Sequence, residues 1–156
     1  MSNRPRSQPA IDSVRQARQI PNGAIPSLCL LDFDGDLTDW LVREGLAKPF
    51  QSWPCFHTTN FAIDVANVTC GIIARTIGGP YAVLIAEQLA AAGVELIVGL
   101  TSAGRVSPEL PLPCLVVATS AIRDEGTSLH YLPASRDVAC HAPVVPLLES
   151  ELAVIG

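Results

Sequence analysis

An α/β fold is the class this sequence predicts, and three observations predict it. Short apolar runs of strand length alternate with stretches of helical period along most of the chain. Hydrophobic residues make up 49% of it and aromatics only 5%, which suits an Ala/Val/Leu/Ile-packed sheet buried on both faces. Within residues 94–133, two apolar runs each empty into a segment crowded with Thr, Ser, Gly and Arg. Ligand sites in open α/β sheets form where strands end, so each run reads as a buried strand and each polar segment as a candidate site wall. The first wall is Thr101-Ser102-Ala103-Gly104-Arg105, and the second runs from Arg123 through Gly126, Thr127, Ser128 and His130 to Tyr131.

Residues 1–26 read as a flexible polar arm punctuated by Pro5, Pro9, Pro21, Gly23 and Pro26, with residues 11–20 long enough for a short helix. The globular part then begins at Ser27 and runs to residue 156. Leu28-Cys29-Leu30-Leu31 is a strand-length run ending in Asp32-Phe33-Asp34-Gly35-Asp36. Thr38 follows as the expected N-cap of a helix with Trp40, Leu41 and Leu46 inward, weakened by Gly45 and stopped by Pro49. Residues 56–63 and 68–73 read as paired strands turning at Asn67, and Gly78-Gly79-Pro80 opens a helix over residues 81–92 with Gly93 as its C-cap. After Pro133 residues 137–143 have no clear period, while 144–154 suit a helix with Leu147, Leu148 and Leu152 inward.

At 156 residues a single domain is expected. The net charge of −5 argues against general nucleic-acid or membrane-surface binding, which would want a basic stripe. No apolar run reaches spanning length and the N-terminus lacks an apolar signal core, so a cytoplasmic protein is the default expectation. The five cysteines show no C-x-x-C pair; Cys29, Cys70 and Cys114 lie in apolar runs and read as small buried hydrophobes. No metal site is expected.

The run DFDGDLTD at residues 32–39 resembles the nucleophile motif of haloacid-dehalogenase-type phosphatases, in which Asp32 would attack phosphorus and Asp34 act as acid and base beside magnesium. Asp36 stands at that motif's Thr, and the lone lysine, Lys48, lies on the early helix.

A broader resemblance, over residues 28–152, is to the purine-nucleoside and uridine phosphorylase family. Gly35-Asp36 resembles its early G-D-P turn, and Ile77-Gly78-Gly79-Pro80 with Glu87 and Leu89 its glycine turn, proline and E-L helix. Residues 93–97 with Thr101-Ser102-Ala103-Gly104 and Pro108 resemble its central strand and phosphate-side loop, and Ala121-Ile122-Arg123-Asp124-Glu125-Gly126-Thr127-Ser128-Leu129-His130-Tyr131-Leu132-Pro133 resembles its V-R-x-D-G-x-S-L-H-F-x-P run. The resemblance implies a phosphorylase-type three-layer α/β arrangement, a mixed β-sheet flanked by helices. It also implies cleavage of a nucleoside N-glycosidic bond with inorganic phosphate as co-substrate, no other cofactor, and a homo-oligomer. It places Gly35, Thr101, Ser102, Gly104, Arg123, Thr127, Ser128 and His130 against substrate.

The family's arginines for phosphate fall here on Thr38 or Asp39 and on Gly99, and Leu37 stands where its early proline would be. Arg75, Arg105 or Arg123 would have to substitute in space. Related nucleosidases lack these arginines and use water, so hydrolysis stands beside phosphorolysis. The family's E-M-E segment and base-reading loop lie beyond this chain's end, which makes the expected fold C-terminally incomplete and keeps a non-catalytic nucleoside-binding or assembly module open as an alternative. Plain turn chemistry at Thr101 and Ser102, and an internal ion pair between Arg123 and Asp124, are the competing readings of those residues.

Overall fold

A computed structural model describes residues 8–21, 23–55, 57–141 and 143–155. The chain divides into two compact units, Met1–Ser102 and Ala103–Gly156.

The first unit is built on a five-stranded mixed sheet. Its strands are β1 (Leu28–Asp32), β2 (Ala47–Pro49), β3 (Asn60–Val65), β4 (Val68–Ala74) and β5 (Leu96–Leu100), in the spatial order β2-β3-β4-β1-β5. The apolar run at β1 lies in the middle because it pairs in parallel on both sides, with Cys29 opposite Gly71 on β4 and Ile97 on β5. Its Cys29 and Leu31 are buried and its Leu28 and Leu30 half-buried on the other face, which fits a continuously apolar run. β3 and β4 form the expected hairpin, antiparallel through Ala66 and Asn67, both of which take the positive φ of a tight two-residue turn. Phe56, where that first strand was expected to start, lies outside the described residues. β2, which the sequence reading passed over, extends the antiparallel side, with Pro49 tolerated on the sheet's outer strand.

Helix α1 (Gln8–Arg18) lies within the expected N-terminal arm, and its Ile11 and Val14 are buried. Helix α2 (Asp36–Arg43) connects β1 to β2. Helix α3 (Gly79–Ala92) follows the Gly78 turn, has Pro80 in its first turn and ends at Gly93 in the left-handed conformation that favours glycine. Its Ile85 and Leu89 are fully buried and join Cys29, Leu31, Ile73, Trp53, Cys55 and Val94 in one core.

Two expectations for α2 are corrected. The helix starts two residues before Thr38, at Asp36, because the cap comes from the strand below instead of from the helix's own first residue. Trp40 and Leu46, expected inward, are exposed, and Thr38 is the residue this helix buries.

The second unit holds a two-stranded antiparallel ribbon, β6 (Ser120–Ile122) with β7 (Asp137–Ala139), a 3-10 turn at Ser128–His130, and helix α4 (Val145–Ile155). The apolar run before β6, expected as a buried strand, forms none: Leu112, Leu115 and Val116 are exposed, as is Cys114. Pro111 and Pro113 each lack the N–H that a ladder needs. On α4, Leu148 and Leu152 are half-buried, whereas Leu147 is exposed. Among the described residues, no helix is long and apolar enough to cross a membrane.

Candidate functional site

The C-terminal ends of β1, β4 and β5 meet at one edge of the sheet, where the first candidate segment sits. Gly35 leaves β1 at φ +90° and forms the N-cap of α2. Beneath it, the 3% exposed Asp32 accepts hydrogen bonds from the N–H of Gly35 at 3.1 Å, the N–H of Thr38 at 2.8 Å and the hydroxyl of Thr38 at 2.8 Å. A carboxylate at a helix N-terminus is favoured by the unpaired amides and by the helix dipole, so one side chain both caps α2 and locks the turn. Asp32 is therefore committed through both oxygens, and the nucleophile that the phosphatase-like reading requires is tied into the fold.

Asp34 continues the pattern across the sheet. Its carboxylate accepts the N–H of Ser102 in a short hydrogen bond and the hydroxyl of Thr101 at 3.5 Å, joining the ends of β1 and β5. The Ser102 amide holds the Asp34 carboxyl below its usual range. Asp34, next to Gly35, thus bonds to both Thr101 and Ser102. Gly99 fits here for a steric reason: a Cβ at that position would stand 2.8 Å from Cε2 of Phe33.

Arg75 arrives from β4, with a backbone φ of +57° and its N–H on the carbonyl of Asp32 at 2.8 Å. Its side chain lies against Gly35, where an added Cβ would meet Arg75 Cγ at 2.9 Å and Nη1 at 3.2 Å, and its Nη2 pairs with Asp39. The Asp39 carboxylate, with Asp32 and Asp36 nearby, raises the guanidinium above its ordinary value. Of the three arginines named as spatial substitutes, Arg75 lies against the Gly35 turn; Arg105 donates to the carbonyl of Leu110 within the second unit.

The second candidate segment is organised around Arg123. Its Nε donates to the hydroxyl of Ser128 at 2.9 Å, Nη1 to the carbonyl of Pro133 at 2.6 Å and the hydroxyl of Ser135 at 2.7 Å, and Nη2 to the carbonyl of Leu132 at 3.3 Å. The guanidinium staples the loop through carbonyls and hydroxyls, and the two ion pairs among the described residues, Arg43–Glu44 and Arg75–Asp39, do not include Asp124. Glu125 accepts the N–H of Thr127 at 2.7 Å and that of Ser128 at 3.0 Å, which lowers its carboxyl below the ordinary range. His130 closes the 3-10 turn and is exposed, and Gly104 stands in open space. Gly104, Arg123, Thr127, Ser128 and His130 all belong to the second unit. Among the described residues no group of three or more His, Cys, Asp or Glu side chains could hold a metal ion.

One theme unites the two segments. Asp32, Asp34 and Glu125 each accept main-chain N–H groups at a candidate loop, so amides that could face an anionic ligand are satisfied from within. The spacing D-x-x-G-x-x-T at residues 32–38 was the available signal for the first of these caps.

A family model described as the phosphorylase superfamily matches residues 29–154. The chain is 34% identical over 89 residues to a uridine phosphorylase of Thermococcus kodakarensis, covering 57% of this chain and 30% of that one. It is 31% identical over 118 residues to a uridine phosphorylase of Salmonella typhimurium, covering 73% and 44%. Among solved structures, a uridine phosphorylase from Vibrio fischeri superposes with a TM-score of 0.69 at 20% identity over 83% of this chain and 54% of that one. A purine nucleoside phosphorylase from Toxoplasma gondii in complex with immucillin-H gives 0.72 at 17% over 85% and 54%. The chain thus spans less than half the length of these curated relatives and about half of these solved ones.

Proposed function

Since the chain belongs to the phosphorylase superfamily, we propose that it acts on the N-glycosidic bond of a nucleoside and that water, not phosphate, takes the sugar. The observation that carries this reading is the double engagement of Asp32 with Gly35 and Thr38. An incoming phosphate would meet amides already bonded to a carboxylate, with Asp34, Asp36 and Asp39 close by, and the Arg75 charge at the turn offset by Asp39. Carboxylates at a strand end repel a dianion but favour the positive charge that develops on a sugar as its base departs. Thr101 and Ser102 offer hydroxyls for sugar oxygens. On this reading the protein is a cytoplasmic homo-oligomer that uses no organic cofactor.

The test is release of base from uridine and inosine, followed by absorbance with and without inorganic phosphate. Equal rates are expected in the two buffers, and a rate that appears only with phosphate would overturn the reading. The exposed Leu112, Leu115 and Val116 favour a second reading, a nucleoside-binding or assembly module without catalysis. Uridine binding by calorimetry with no base released in either buffer would select it.

A further inference from the structure

The strand-end turn is acidic, but on another side of Arg75 the first unit has a cavity of the opposite character. It is an open depression of about 540 Å³, bordered by Arg18 at the end of α1, Thr58 and Thr59 before β3, Phe61 on β3, Arg75 after β4 and Tyr81 on α3, with His57 completing the rim. We propose that this cavity is a nucleotide site, next to the Gly35–Ser102 site and sharing Arg75 with it, that takes the phosphate group of a nucleoside monophosphate beside Arg18 and the threonines and its base beside Phe61 and Tyr81.

Several features of the lining support that ligand chemistry. Two of the chain's ten Lys and Arg residues border one cavity in a protein of net charge −5. A planar guanidinium matches phosphate oxygens, and Arg18 is anchored by Nη1 to the carbonyl of Cys55 at 3.2 Å, which fixes it before any ligand arrives. Thr58 and Thr59 carry hydroxyls that donate to phosphate oxygens. Tyr81 is held by its hydroxyl on the carbonyl of His57 at 3.4 Å, and with Phe61 it supplies aromatic surface of the kind on which bases stack. Arg75 in this lining is itself paired with Asp39. The volume falls within the range of small-molecule pockets.

The site does not depend on the hydrolytic reading, because its test reads binding alone. Uridine 5′-monophosphate and uridine are titrated calorimetrically into the full chain, its Arg18→Gln variant and its Tyr81→Leu variant, each first checked for a cooperative melt. The monophosphate is expected to bind at least about tenfold more tightly than uridine, an advantage that Arg18→Gln abolishes, while Tyr81→Leu weakens both ligands. If Arg18→Gln fails to melt cooperatively, Thr59→Val, at an exposed position, takes its place and is expected to reduce the monophosphate's advantage over uridine. Monophosphate binding no tighter than uridine binding, or variants that bind it like the parent, would overturn the proposal.

Discussion

Thr38 gives Asp32 two hydrogen bonds, one from its N–H and one from its hydroxyl, both at 2.8 Å and both buried. The pair links the central strand to the first turn of α2, so its loss is felt as stability before it is felt as chemistry. Thr38→Val removes the hydroxyl donor and is expected to cost about 1–3 kcal/mol in urea unfolding. Asp32→Asn is expected to cost more than Thr38→Val, because it places an amide NH₂ against an N–H donor. Equal stability of both variants with the parent would remove this pair from the architecture.

At Gly35, conformation and space can be separated. The φ of +90° disfavours any side chain by about 1–2 kcal/mol, and a Cβ would also press on Arg75 Cγ at 2.9 Å. Gly35→Ala is therefore expected to lower the melting temperature, and adding Arg75→Ala should restore only the steric part. Full recovery in the double variant would show that the backbone angle costs nothing.

Asp34 and Glu125 titrate below the ordinary carboxylate range because each accepts main-chain N–H groups. A carboxyl lowered on folding adds stability above its unfolded value, and that stability is lost as the pH falls through the folded one. Carboxyl-carbon NMR should find both groups still ionised where unperturbed carboxylates have begun to protonate. Asp34→Asn should flatten the acid limb of stability against pH.

Burial pushes the Cys29 thiol up to about 12, with Cys70 adding to the effect, while Cys114 and Cys140 are exposed. A thiol-specific reagent at pH 8 is expected to label Cys114 and Cys140 at once and Cys29 only after denaturation, since the thiolate is the reactive form. Rapid labelling of Cys29 in the folded protein would contradict the buried central strand.

Periodicity made β1, the β3–β4 hairpin, α3, β5 and α4 legible as elements, although β5, expected as a buried strand, has exposed Leu96 and Leu100 and no buried residue. It failed at residues 112–118, since an apolar run looks the same whether or not a partner strand exists to cover it. The short strands β2, β6 and β7 were too brief to show a period. Within the site, Thr101 and Ser102 could be read from their place at a strand end. The contact between Arg75 and Gly35 could not, because it spans forty residues and depends on the parallel pairing of β1 with β4 and on the unusual backbone of Arg75. Asp32 was visible in the sequence, as a nucleophile under the phosphatase-like alternative, because spacing alone does not distinguish a carboxylate that reacts from one that caps.

The fit of Phe33 over Gly99 bears on what the strand end can hold. With a ring atom 2.8 Å from where any Cβ would stand, a larger residue at Gly99 has to move the Phe33 side chain aside. The ring thus gauges that position, admitting glycine as it stands and any bulkier residue only with a shift of its own.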